Sequence, residues 1–328
     1  MTPPTKATRA LVLACATVAQ IAGAADTPPA FSAHPIRLIL GYPPGGASDA
    51  VARPLAVIVG TRLGQTIVID NRPGAGGNIA AEIVARSAAD GYTLLLGSMG
   101  TQSVNVSIYS KLAFDPVKDF APISLVVNSA NLLLVHPSIP ASTVKDLIRL
   151  AKTKADRFSY SSSGSGSFNH LSAELFNLMA GTRMVHIPYK SGAQTLTAVV
   201  SGEADILFQT IPPVQPYLEA RRLKALAVGT VRRHPLFPQL LTVSESGLPG
   251  FEISTWYGIL APAGTPSAIV AGLSQTLADV VKSPAAGKRL QELGVDPASN
   301  TPDQFAALIR ADTVKWAKVA KAANIKVN

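Results

Sequence analysis

Short runs of β-branched and aliphatic residues recur along the chain, each followed by a loop rich in Gly and Ser and then by a stretch with apolar positions at helical spacing. The first unit places a strand at 36–40, a loop Gly41-Tyr42-Pro43-Pro44-Gly45-Gly46-Ala47 and a helix over 48–63, with Ser48 as N-cap and Asp49 in the first turn. The second places a strand at 66–70, the loop Asn71-Arg72-Pro73-Gly74-Ala75-Gly76-Gly77-Asn78 and a helix over 79–87. A third strand at 93–96 ends in Gly97-Ser98-Met99-Gly100-Thr101. After two further apolar runs, 123–127 and 132–135, the pattern resumes. A strand at 158–160 leads through Ser161-Ser162-Ser163-Gly164-Ser165-Gly166-Ser167 into a helix over 168–180 closed by Gly181. The last clear unit is a strand at 184–187, the loop Tyr189-Lys190-Ser191-Gly192-Ala193 and a helix over 194–201. Strand-like runs follow at 206–208 and 223–228, and residues 251–258 lead back to a helical tail. In that tail Pro266, Pro284 and Pro302 mark helix starts. Strands alternating with helices predict an α/β protein with mainly parallel sheets.

Length sharpens this to two lobes, since 328 residues suffice for two ordinary cores. With 47% hydrophobic and 15% charged residues, the chain has the composition of a globular protein. The first residues read as a secretory leader. Lys6 and Arg9 form a positive start, 10–25 is apolar, and Ala22-Gly23-Ala24 matches a small-residue cleavage pattern, so residues 1–25 are expected to be removed. The single cysteine, Cys15, lies inside that leader, which excludes disulfides, thiol catalysis and cysteine metal sites from the mature protein.

The chain carries 29 basic against 20 acidic residues, a positive balance that favours anionic ligands. Its Lys and Arg are dispersed instead of forming runs interleaved with aromatics, so nucleic acid is a poor partner. His34, His136, His186 and His234 show no metal-ligand spacing, and neither a metal site nor a cofactor is expected.

In a parallel sheet, the loops from strand to helix lie at the carboxyl ends of the strands, where ligands bind. Each such loop ends at a helix N-terminus whose unpaired N–H groups and dipole favour a negative group, and glycine lets the backbone approach closely. None of these loops carries the P-loop or dinucleotide pattern, which points to a carboxylate over a nucleotide. His170, on the first turn of its helix beside such a loop, is a candidate donor to that carboxylate. Gly46-Ala47-Ser48-Asp49-Ala50 falls one glycine short of a nucleophile elbow, so a serine hydrolase using Ser48 is the rival class. A capping role for Ser48 weighs against it.

At these loops the sequence resembles the tripartite tricarboxylate transporter substrate-binding proteins, the Bug family. The matching stretches are Tyr42-Pro43-Pro44-Gly45-Gly46 through Asp49, Asp70 through Asn78, Asp90-Gly91-Tyr92-Thr93-Leu94-Leu95, Tyr189-Lys190, Thr255-Trp256-Tyr257-Gly258, Lys315-Trp316-Ala317 and Ala322-Ala323-Asn324-Ile325. The resemblance implies a periplasmic solute-binding protein with a type II-like fold of two α/β lobes joined by crossing hinge strands. Lobe 1 would comprise 31–126 plus 253–328, and lobe 2 would comprise 127–252. It implies a carboxylate held between the lobes and delivered to membrane permease subunits, and a monomer suits such a shuttle. A receptor for a signalling kinase is the alternative use of the same capture chemistry.

Carried over by position, Pro44, Gly45, Gly46 and Asp49 with Gly74, Ala75, Gly76, Gly77 and Asn78 form one wall of the site. Ser165, Ser167, His170, Tyr189, Lys190, Gly192 and Ala193 face them, and Tyr42, Ser98, Thr101 and Gln209 complete the candidates. Two positions depart from the family pattern. Ser191 separates Lys190 from Gly192, and Gln209 stands where an Asp is common. Without that acid a ligand ammonium lacks a partner, so a dicarboxylate or an aromatic acid is favoured over an amino acid.

Overall fold

A nearly continuous apolar run at 36–40, interrupted only by Arg37, buries Ile36, Leu38, Ile39 and Leu40 and becomes β1 (Ile36–Leu40), an inner strand of a sheet. The computed structural model describes residues 34–153 and 158–327, so the expected leader with Cys15 lies outside the described residues. β1 pairs in parallel with β2 (Ile67–Asn71) on one side and with β3 (Thr93–Ser98) on the other. Between them run α1 (Ala47–Leu63) and α2 (Asn78–Ala85), and β3 leads through a π-helical turn at 100–104 into α3 (Asn105–Ile108). The first lobe therefore opens as the expected strand-loop-helix repeat, with all three loops at one sheet edge.

The second lobe repeats the scheme with β5 (Ser159–Ser162), α5 (Phe168–Ala180), β6 (Val185–Pro188), α6 (Gly192–Ser201), β7 (Ile206–Thr210), α7 (Ile211–Glu219) and β8 (Lys224–Val228). β5 lies parallel to β6 and β7. α4 (Val144–Thr153) precedes this lobe's first parallel strand, and Gly181 closes α5 in the left-handed conformation at φ 63°. β9 (Ser254–Pro262) returns the chain to the first sheet, antiparallel to β3. The tail comprises α8 (Ser267–Lys282), α9 (Pro284–Glu292), a two-residue strand β10 (Asp296–Pro297) and α10 (Pro302–Ala322). Pro266, Pro284 and Pro302 stand at its helix starts, and Thr301 closes a capping box with Gln304 at the start of α10.

One strand joins the two sheets. The expected separate runs 123–127 and 132–135 are a single strand, β4 (Phe120–Val135). Asn128-Ser129-Ala130-Asn131 reads as a turn by composition, but its backbone stays in register with β9 through Asn128↔Trp256 and Ala130↔Ser254. From Asn131 onward β4 pairs with β7, and from Leu132 with β8. Ladder pairing on both sides of the segment overrides its local turn preference. Among the described residues the strand order is β2-β1-β3-β9-β4-β7-β5-β6, with β8 and β10 also on β4.

The core follows the strand. One apolar cluster runs from Ile39 and Leu95 through Trp256, Phe305 and Trp316 to Phe176, Phe208 and Phe251, touching both lobes. Separate clusters lie under α1 and α8 on one side and under α6 and α7 on the other. No helix among the described residues is long and apolar enough to cross a membrane.

The start of α1 corrects a second expectation. Gly46 is the N-cap, and Ser48 lies inside the first turn with its hydroxyl buried and unpaired. No side chain caps α1: the Asp49 carboxylate in its first turn accepts the Gly45 N–H, just outside the helix, at 3.0 Å and a two-toothed bond from Arg53 at 2.7 and 2.9 Å. A carboxylate in the first turn also suits the positive end of the helix dipole.

Candidate functional site

The carboxyl edges of the two parallel sheets meet at a cavity of about 420 Å³. Lobe 1 contributes Tyr42 after β1, Gly76 after β2, and Ser98, Met99 and Gly100 at the end of β3. Val104, Asn105, Ile108 and Tyr109 continue that wall. Lobe 2 contributes Ser163, Ser165, Gly166, Ser167 and Phe168 after β5, with Leu171 one turn into α5. Thr255, Trp256 and Tyr257 of β9 form the floor between the lobes, and Val327 closes one side from the tail.

The lobe 1 wall is fixed by close backbone packing. A Cβ on Gly41 would stand 2.6 Å from the Gly77 Cα, and one on Gly77, at φ 93°, would stand 2.4 Å from Thr101 Cγ2. Glycine at both positions lets the loops after β1 and β2 touch. Ser98 and Thr101 lock the next loop reciprocally: Ser98 N–H donates to Thr101 Oγ1 at 3.1 Å and Thr101 N–H to Ser98 Oγ at 3.2 Å. Tyr42 joins them through its hydroxyl, 3.1 Å from Ser98 Oγ. Asn105 Nδ2 donates to the Gly76 carbonyl and to Asn78 Oδ1, tying the wall to the start of α2. Burial pushes the Tyr42 and Tyr257 phenols up, so both remain neutral donors.

The lobe 2 wall is a loop that turns at Gly164 and Gly166, with φ of 108° and 76°. Ser167 caps α5 by accepting the His170 N–H, and Ser163 donates to Asn169 Oδ1 at 3.2 Å. Asn169 in turn donates to the Phe208 carbonyl. The Ser165 hydroxyl has no hydrogen-bond partner among the described residues.

Among the described residues, no Asp, Glu, Lys, Arg or His lines the cavity. An anion there is met by hydroxyls, by backbone N–H groups and by two helix starts: that of α5 in lobe 2 and that of the helical stretch after Ser98 in lobe 1. An ammonium meets no carboxylate. At the start of α1 the anion position is already taken by Asp49, whose carboxyl is held below the usual range mainly by Arg53. A second cleft, of about 570 Å³, lies between the C-terminal ends of α5 and α10 and is lined by Glu174, Asn177, Thr182 and Arg183 among others. Helix C-termini and the Glu174 carboxylate make it the less favourable place for an anion.

Of the residues singled out in the sequence, Tyr42, Gly76, Ser98, Ser165 and Ser167 line the cavity. Gly77, Asn78 and Thr101 support its lobe 1 wall from behind. Pro44, Gly45, Gly74 and Ala75 are exposed and, with Gly46 and Asp49, stand outside the lining. Tyr189, Lys190, Gly192 and Ala193 occupy the neighbouring loop after β6, joined to β5 by the Tyr189 N–H bond to the Ser162 carbonyl at 2.7 Å, and do not line the cavity. Gln209 turns its Oε1 onto the Thr210 N–H at 3.0 Å. His170 sits behind the wall. Among the lining residues not singled out in the sequence, Asn105, Ile108, Tyr109, Phe168, Leu171 and Val327 come from helix faces and the tail and carry no local loop signature, while Met99, Gly100, Ser163 and Gly166 lie in loops whose neighbours were singled out.

A family model described as the tripartite tricarboxylate transporter family receptor matches residues 51–325. Protein BugT of Bordetella pertussis is 33% identical over 304 residues, which cover 92% of each chain. Among solved structures, R. palustris Rpa4515 with adipate is 36% identical with a TM-score of 0.78, covering 90% of this chain and 99% of that one. MatC (Rpa3494) from Rhodopseudomonas palustris with bound malate is 31% identical with a TM-score of 0.73, covering 88% and 99%. The family match over residues 51–325, with likeness in sequence and fold over 90% or more of the chain, places this chain in the tripartite tricarboxylate transporter receptor family.

Proposed function

We propose that this protein is a periplasmic receptor that captures a small carboxylate in the cavity between its lobes and delivers it, as a monomer, to the membrane permease subunits of a tripartite tricarboxylate-type transporter. The observation that carries the reading is the cavity itself: it sits where the carboxyl edges of two parallel sheets converge, is flanked by helix starts, and has no charged side chain in its lining. A dicarboxylate or aromatic acid fits this lining better than an amino acid, because no carboxylate there would receive an ammonium. The adipate and malate held by two relatives support the class of ligand. Export to the periplasm follows from the leader pattern at 1–25.

A division into two lobes, 31–126 plus 253–328 against 127–252, is supported in outline by β4, which exchanges β9 for β7 as partner slightly later, between Ala130 and Asn131. The candidate residues outside the lining, Pro44 to Gly46 and Tyr189 to Ala193, stand at the same two sheet edges and would reach the ligand if the lobes close further. A thermal-shift screen against mono-, di- and tricarboxylates, aromatic acids, amino acids and sugars tests the function. A selective rise for a carboxylate class is expected, and silence across all acids with a rise for another class would refute it.

A further inference from the structure

The cavity-lining loop of lobe 2 is held from beneath by a stack of rings that are not part of the cavity lining. His170 is 7% exposed, and its ring lies 3.9 Å from that of His186, with 7° between their planes. Tyr160 extends the stack, 5.0 Å from His186 and 6.2 Å from His170. His170 Nδ1 takes the Gly166 N–H at 3.0 Å. A backbone N–H can only donate, so Nδ1 must be unprotonated and the neutral ring carries its proton on Nε2. At the other end of the loop, Ser162 Oγ bonds Gly164 N–H at 3.1 Å and His186 Nε2 at 2.5 Å.

We propose that His170 is a positioning residue for the ligand: by accepting the Gly166 N–H from below, it fixes the Ser163–Ser167 wall in the shape that receives the acid. The inference rests on the cavity being the binding site. Gly166 takes a left-handed φ of 76° and its Cβ position is filled by Ile108 Cδ1 at 2.4 Å, so the turn has no side chain of its own to hold it. The groups facing His170 are His186 of β6, Tyr160 of β5, and Glu174 one turn along α5, whose carboxylate is engaged by the Tyr160 hydroxyl at 2.5 Å. None supplies an opposite charge directly to the His170 ring. Burial first, and the adjoining His186 ring second, hold the His170 imidazole down to about 4, so the acceptor persists through neutral and mildly acidic pH.

The test pairs binding with a spectroscopic readout on the full mature protein. Adipate affinity is measured at pH 7 for wild type, His170→Asn and His170→Leu, and the Gly166 amide resonance is followed by NMR from pH 7 to pH 3.5. Asn retains an acceptor near the Nδ1 position and is expected to bind within about twofold of wild type, whereas Leu should bind at least fivefold more weakly. The Gly166 amide should shift with the His170 ring, with a midpoint near pH 4. Leu binding as tightly as wild type, or a Gly166 amide blind to the His170 titration, would overturn the proposal. If wild type does not bind adipate, the choice of ligand class is what fails, and the amide titration alone decides the role of His170.

Discussion

Trp256 links the cavity floor to the half-buried carboxylate of Asp312, and removing the link has a cost that can be worked from the structure. Its Nε1–H donates to Asp312 Oδ2 at 2.7 Å, and its ring packs edge-on against Phe305 with centroids 5.2 Å apart. Burial raises the Asp312 carboxyl above its ordinary value, while the Trp256 hydrogen bond and the Lys315 charge pull it back down. Trp256→Phe leaves most of the packing but strands the carboxylate. A hydrogen bond to a charged group contributes about 1.5–3 kcal/mol, and the lost ring volume adds to that, so the expected destabilisation at pH 7.5 is about 3 kcal/mol. The pH dependence carries the proof. A carboxyl whose folded value lies above its unfolded value binds more protons when folded, so its contribution to stability improves as pH falls. Without Trp256 the carboxyl rises further, and the gap between variant and wild type should therefore narrow on going from pH 7.5 to pH 5. Urea denaturation at the two pH values measures this. A cost below about 1 kcal/mol, or one unchanged by pH, would refute the account of a stranded carboxylate.

Three further outcomes are expected. Gly41→Ala drives a Cβ to 2.6 Å from the Gly77 Cα and should cost about 1–3 kcal/mol in denaturant melts while weakening ligand binding, because backbone cannot step aside as a side chain can. The His170 value near 4 lies below the 6.5 of a free histidine, so the unfolded chain binds the extra proton: stability is full above pH 6.5 and is lost as pH falls towards 4. That loss amounts to about 2.5 kcal/mol at pH 4.5, part of it offset by Asp312, and denaturant curves for His170→Asn should show it flattened. Ligand should alter tryptophan fluorescence through Trp256, which lines the cavity, so Trp316→Phe keeps the signal and Trp256→Phe removes it.

The strand-loop-helix units were legible because each pairs a run of β-branched residues with a glycine-rich stop. Eight of the ten described strands fall on or next to strand runs visible in the sequence; β9, read only as the chain's return to the tail, and β10, two residues long, do not. The continuity of β4 was hidden, since Asn128 to Asn131 looks like a turn and only the ladders on either side keep it extended. The site was legible where a loop itself forms the wall, as at Tyr42, Gly76, Ser98, Ser165 and Ser167. It was hidden where a wall residue is an ordinary helix or tail position, as at Ile108, Leu171 and Val327, whose place depends on how distant segments pack. His170 shows the intermediate case. Its position beside a Ser/Gly loop marks it as part of the site, but not that its ring turns away from the cavity to hold the loop.

The central claim is that the acid binds between the lobes, against the start of α5. A crystal structure of the complex with the acid that most raises the melting temperature tests it most directly. The account predicts a carboxylate within hydrogen-bonding distance of Ser165 and the first-turn N–H groups of α5, with its body against Trp256 and Tyr257. A ligand in the cleft between the C-terminal ends of α5 and α10, with the interlobe cavity holding only water, would contradict it.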